Sequence, residues 1–310
     1  MKEAVGASKK IYFSPDGVYQ QVNMYTLLNP DTKKYLIDET NICLLTNSQD
    51  ILQVVADSKS KSAEIFSYPD YDFIPKTVEV ASTEPLSRYG FSHLVELPGT
   101  KIEADTITKI LKSKNWKVNE HLQAEATEDA IKKIDNPQIL HIATHGFFLK
   151  DVDDNAAEVI GLQSQIAKEN PLLRSGLMLA GAAAVARDSM VDNTKEDGIL
   201  TAYEAAGLNL SQTDLVVLSA CETGLGEMHN GQGVYGLQRA FMVAGAKSII
   251  MSLWVVDDFA TQELMSNFYR EWLKDPSADN KQKAFRIAEL KLKEKFPEPY
   301  YWGAFVMVGK

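Results

Sequence analysis

The chain has 310 residues, 45% hydrophobic and 24% charged, enough to bury at least one large core. A net charge of -10 and a pI near 5.1 exclude nucleic-acid backbone binding as the main activity, and no lysine- or arginine-rich stripe offsets them. Two cysteines, Cys43 and Cys221, make no disulfide framework, and no run reaches the roughly 20 apolar residues a membrane helix needs; the N-terminal MKEAVGASKK lacks the apolar core of a signal peptide. A cytoplasmic protein without membrane contact is expected.

In chain order, residues 10–45 read as short strands. KKIYFSPDGVYQQVNMYTL alternates around the turn Pro15-Asp16-Gly17, and KYLIDETNICLL continues in that style. This predicts a small antiparallel β segment over 1–62, packed on a core at 63–310. AEIFSYP is an apolar run stopped by proline. DTITKILKSK carries helical spacing at Ile107, Ile110 and Leu111. WKVNEHL reads as a strand, and ATEDAIKKI as a helix capped by Thr127. Apolar strands follow at QILHIAT, SGLMLAG, DLVVLSA, AKSIIMSLW and GAFVMVG. Helices are expected at ILTAYEAAGL, VYGLQRAFMVAG, ATQELMSNFYREWL and 280–295, the last with a solvated basic face. The acidic stretch 150–171 reads as a mobile insertion. Near-continuous apolar strands alternating with amphipathic helices predict an α/β fold whose largely parallel sheet is covered on both faces.

In such sheets function gathers at the carboxyl ends of the strands. ILHIAT runs into His145-Gly146, and LVVLSA runs into Cys221-Glu222-Thr223-Gly224. If the two strands are neighbours, imidazole and thiol face each other across one edge. A thiol with a pKa of about 8.5 is mostly protonated at neutral pH, and a histidine can take that proton and return it to a leaving amine. Gly146, without a side chain, lets its N–H approach a developing oxyanion, and the Cys221 N–H is the natural second donor. A core cysteine is the alternative reading of these residues alone.

Other motifs carry less. His141 and His145 are four apart, but their run is β-prone and no further ligand is near in sequence, so no metal is expected and His141 reads as a core residue. GLGEMHNGQGVYG lacks the lysine and spacing of a phosphate loop, and no dinucleotide fingerprint opens a βαβ unit. No cofactor is implied. Glu204 reads as structural, and Cys43 as buried.

HIATHGFF and LSACETGLG resemble the two signature blocks of the CHAT-domain cysteine peptidases, caspase-like and separase-like members of clan CD. ELPGTKIEADTI, SGLMLAG, DGILTAYEAAGLNL, GVYGLQRAFMVAGAKSIIMSLWVVDDFAT, LMSNFYREWL and YYWGAFVMVG resemble that family in the same order, across 63–309. The resemblance implies a caspase-like three-layer sandwich with a mostly parallel central sheet. It implies an endopeptidase in which Cys221 is the nucleophile, His145 the acid/base, and Gly146 and Cys221 the backbone oxyanion donors. The surroundings of Cys221 depart from the caspase pattern Q-A-C-x-G, which puts aspartate specificity in doubt, and Ser219 stands where metacaspases have an aspartate. LWVVDD resembles a separase segment whose aspartate receives an arginine; that position is Asp258, which also suits the N-cap of a helix starting at Phe259. Asp257 and Glu222 are further substrate-binding candidates. The implied partners are a protein substrate and an activating sensor or repeat domain, fused or separate, in cell-death, differentiation or antiviral pathways. The rival reading is a silent module that holds a peptide in the same groove.

Overall fold

The computed structural model describes residue 8 and residues 10–52, 60–73, 94–148, 158–159, 162–163, 170–183, 197–220, 227–229 and 233–309. Its strands include β1 (Lys10–Phe13), β2 (Asn41–Leu44), β3 (Ser62–Pro69), β4 (Lys117–Gln123), β5 (Ile139–Ala143), β6 (Gly146–Phe148), β7 (Ser175–Met178), β8 (Ile199–Thr201), β9 (Leu215–Ser219), β10 (Ser248–Ser252) and β11 (Phe305–Gly309). Eight of them form one sheet in the order β1-β2-β11-β10-β9-β5-β3-β4. From β10 to β4 every neighbouring pair is parallel. β11 then enters antiparallel to β10 and carries β2 and β1 with it. A second sheet, β8-β7-β6, is antiparallel.

The N-terminal strands therefore run against the central strands, but they pair with each other in parallel. The long 14–40 connection lets the chain cross over before β2, which a tight hairpin cannot do. Among the described residues of that segment, antiparallel pairing is the bridge Leu28–Tyr35. Pro15-Asp16-Gly17 does not join two strands. Asp16 accepts the Gly17 N–H and starts a 3-10 helix over Gly17–Gln21.

The helices include α1 (Pro98–Lys112), α2 (Glu128–Lys132), α3 (Ala202–Ala205), α4 (Leu237–Val243), α5 (Asp258–Trp272) and α6 (Ala278–Lys295). Strand alternation sorts β9 between two cores. Leu215 and Val217 face Ile107 of α1, Leu264 and Phe268 of α5 and Phe285 of α6. Val216 and Leu218 face Ala202 and Ala205 of α3 and Leu237 and Phe241 of α4. This is the expected three-layer arrangement. Phe268 and Trp272 stack at 5.7 Å inside the first core, where truncating an aromatic costs about 3–5 kcal/mol.

Two expectations change. α1 begins at Pro98, well before the apolar spacing, because a proline in the first turn has no N–H to leave unpaired. The early turns bury Thr100 and Glu103 beside Ala104. The basic face of α6 is not wholly solvated either. Lys281 is fully buried, and its Nζ donates to Asp214 O at 2.7 Å and Ser248 Oγ at 2.9 Å. α6 crosses the amino ends of β9 and β10, so this turn meets polar strand ends instead of water. Most of the expected insertion at 150–171 lies outside the described residues; Glu158–Val159 and Leu162–Gln163 form a short antiparallel ribbon.

Candidate active site

β5 and β9 are adjacent and parallel, with Ser219 opposite Ala143. Ala143 is two residues before His145, and Ser219 is two residues before Cys221. A cavity of about 50 Å³ opens at these carboxyl ends, lined by Thr144, His145, Ser219, Ala220, Glu103, Asp258 and Thr261, among others. That volume exceeds what one water needs. Cys221 and Glu222 lie outside the described residues. Gly146 opens β6 and pairs opposite Leu177.

The His145 ring is held by a main-chain oxygen. Its Nε2 lies 2.8 Å from Val95 O. A carbonyl only accepts, so Nε2 carries the proton and Nδ1 of the neutral ring keeps its lone pair. The His145 carbonyl accepts the Met178 N–H at 2.9 Å, tying the residue to β7.

Asp257, not Asp258, caps α5: its Oδ1 accepts the Ala260 N–H at 2.9 Å. Asp258 is the first helical residue, and its carboxylate joins the cavity wall. Burial, then Asp257 and Glu103, push its pKa above the ordinary carboxylate value, while His145 pulls it down. Gly99 sits against it; a Cβ there would lie 3.0 Å from the Asp258 Cβ.

Beneath the cavity lies a buried polar cluster. Ser219 Oγ donates to Glu103 Oε2 at 2.9 Å. Glu103 Oε1 is 3.1 Å from His141 Nε2, without hydrogen-bond alignment, and His141 Nδ1 is 3.2 Å from the Tyr269 hydroxyl. His141 is thus a core residue, as expected. Glu103 was not singled out from sequence, because only the fold brings α1 over Ser219. Val95 and Gly99 were missed for a similar reason: a carbonyl and a missing side chain leave no motif.

Other candidates stay apart from the cavity. Glu204 closes a capping box with Thr201 at the start of α3 and pairs with Lys132 at 2.9 Å. His121 stacks on Phe66 at 4.2 Å, and Cys43 is buried. Among the described residues no three His, Cys, Asp or Glu side chains group as metal ligands, and no helix is long and apolar enough to cross a membrane.

An α/β sandwich with chemistry at the carboxyl ends of adjacent strands is an architecture that cysteine proteinases use. The whole chain aligns with the Arg-specific cysteine proteinase gingipain R at a TM-score of 0.54 and 10% identity, covering 65% of that chain. It aligns with the complex of the Porphyromonas gingivalis RgpB pro- and mature domains at 0.53 and 9%, covering 67%. The profile of the CHAT domain matches residues 2–310, and the chain belongs to that family. It is also 30% identical over 112 residues to Tetratricopeptide repeat protein 28 of Mus musculus and of Homo sapiens. That match covers 36% of this chain and 4% of those proteins. The chain is thus a CHAT-domain protein whose fold is shared with cysteine proteinases.

Proposed function

We propose that the protein is a cysteine endopeptidase in which His145 activates Cys221 for attack on a peptide carbonyl. The observation that carries this is the single cavity shared by His145, Ala220 and Asp258 at the ends of neighbouring strands. His145 Nδ1 takes the thiol proton, and the thiolate sulfur bonds to the carbonyl carbon. Gly146 and Cys221 N–H groups hold the oxyanion. As the C–N bond breaks, the imidazolium returns the proton to the departing amine, and water then hydrolyses the thioester with His145 as base.

Asp258 gives the substrate preference in this reading. Asp258 and Glu103 line the cavity, and no Lys or Arg is among its described lining residues. A basic side chain before the scissile bond supplies the missing charge. A repeat-domain partner, fused or separate, regulates the enzyme in a cytoplasmic defence, cell-death or differentiation pathway. The similarity to a tetratricopeptide-repeat protein supports that partner class.

The test is selective labelling of Cys221 by an electrophilic peptide, together with mapping of new protein N-termini. Labelling and cleavage are expected in wild type and are lost in Cys221→Ala and His145→Ala. A thiol that reacts no faster with the peptide probe than with a plain alkylator, whatever residue 145 is, would instead favour the silent peptide-binding module.

A further inference from the structure

Among the described contacts of His145, one residue touches both its backbone and its ring. Tyr71 follows β3, the strand beside β5, and is only 2% exposed. Its ring centroid lies 5.3 Å from that of His145, tilted by 39°. Its hydroxyl accepts the His145 N–H at 3.4 Å and lies 2.9 Å from Thr144 Oγ1. Thr144 Oγ1 in turn is hydrogen-bonded to Met178 O.

Donor counting gives this chain a direction. Met178 O can only accept, so Thr144 spends its one hydroxyl proton there. Thr144 Oγ1 is then the acceptor toward Tyr71, and Tyr71 is the donor. Tyr71 thereby keeps its lone pairs for the His145 N–H. The sequence of donation is His145 N–H to Tyr71 hydroxyl, to Thr144 hydroxyl, to Met178 carbonyl. It closes on itself, because the Met178 N–H donates back to His145 O at 2.9 Å. Burial pushes the Tyr71 pKa up to about 12, so the hydroxyl proton stays through the working range of a thiol enzyme. The Tyr71 main chain is itself pinned, its carbonyl accepting the Ala183 N–H at 2.9 Å.

We propose that Tyr71, acting with Thr144, is a positioning residue for His145: the closed hydrogen-bond circuit and the ring contact hold the His145 backbone so that its Nε2–H meets Val95 O and its Nδ1 stays available as the base. This rests on the peptidase reading for its consequence in catalysis, but not for the geometry of the ring. If the circuit opens, the backbone at 144–145 slips, the Val95 contact misaligns, and the second ring tautomer becomes populated.

The experiment uses the full chain with 15N-labelled histidine and a cleavable peptide. Tyr71→Phe keeps the ring and removes one oxygen. Thr144→Val keeps the volume and removes the other, and Thr144→Ser restores the hydroxyl. In wild type, the His145 nitrogens are expected to give one protonated and one bare signal. In Tyr71→Phe and Thr144→Val the two signals move toward each other, and kcat falls about tenfold with KM within about twofold. Thr144→Ser recovers most of both losses. Unchanged spectra in Tyr71→Phe and Thr144→Val overturn the proposal, whether or not the rate falls, since positioning must move the ring. A serine variant as impaired as the valine variant overturns it too. Should Thr144→Val fail to fold, Tyr71→Phe decides alone. If wild type cleaves nothing, the peptidase reading fails, and the spectra still decide the positioning of His145.

Discussion

Asp257 caps helix α5 through Oδ1, and this leaves the carboxylate of Asp258, one residue later, to face the cavity. Adjacent acids thus take different places, one capping the helix and the other lining the cavity. Asp257→Ala is expected to cost about 1 kcal/mol of stability, as lost caps do, with the ranking of substrates unchanged. Asp258→Asn should leave the melting temperature nearly in place and flatten the preference for basic residues across a peptide library. Equal cutting of that library by wild type and Asp258→Asn would remove Asp258 from specificity.

The same carboxylate predicts a pH dependence. Burial, Asp257 and Glu103 raise the pKa of Asp258 in the free site above the usual carboxylate range. A bound cation favours the ionised form, so binding a basic side chain releases a proton. KM for basic substrates should therefore rise as pH falls through that raised pKa, while KM for an uncharged side chain stays flat. Steady-state titration of a matched pair of peptides reads this directly. Parallel KM profiles for the pair would contradict it.

Gly99 offers a steric test of the same wall. A methyl group at this position would press on Asp258, 3.0 Å from Cβ and 3.2 Å from Oδ2. Gly99→Ala is expected to raise KM for basic peptides severalfold and leave alkylation of Cys221 unchanged. A KM equal to wild type would show that Asp258 yields without consequence.

Lys281 separates buried from exposed charge on one helix. Lys281→Ala removes two buried donations, to Asp214 O and Ser248 Oγ, which keep their bond to each other, and should cost roughly 2–3 kcal/mol in chemical unfolding. Lys295→Ala removes an exposed pair with Glu263 at 3.1 Å and should cost less than about 1 kcal/mol. Similar losses for both would mean that Lys281 is not packed as described.

The strands were legible because an apolar run that alternates between two cores leaves a continuous hydrophobic signal, as in LVVLS. His145 was legible because a glycine and a strand end surround it. What escaped were relationships across the fold. Glu103 sits among polar residues on α1, and nothing nearby in sequence points to Ser219, 116 positions away. Tyr71 follows a proline turn, where an aromatic residue has many uses. The choice between Asp257 and Asp258 as cap is a one-residue question of helix register, to which two neighbouring aspartates are equally suited. β1 and β2 showed extended character correctly, but strand direction depends on the crossover and not on local pattern.

The cavity draws its walls from segments scattered along the chain, from Leu97 and Thr100 through His145 and Ala220 to Asp258 and Thr261. A growing polypeptide that has just completed β9 already holds the histidine, yet it lacks the side contributed by Val256, Asp258 and Thr261. The strand β11 follows these in sequence and is needed to seat β2 and β1 on the sheet. A fragment that stops after β9 thus carries His145 without the wall it faces, and the cavity takes shape only when the two halves of the sheet fold together.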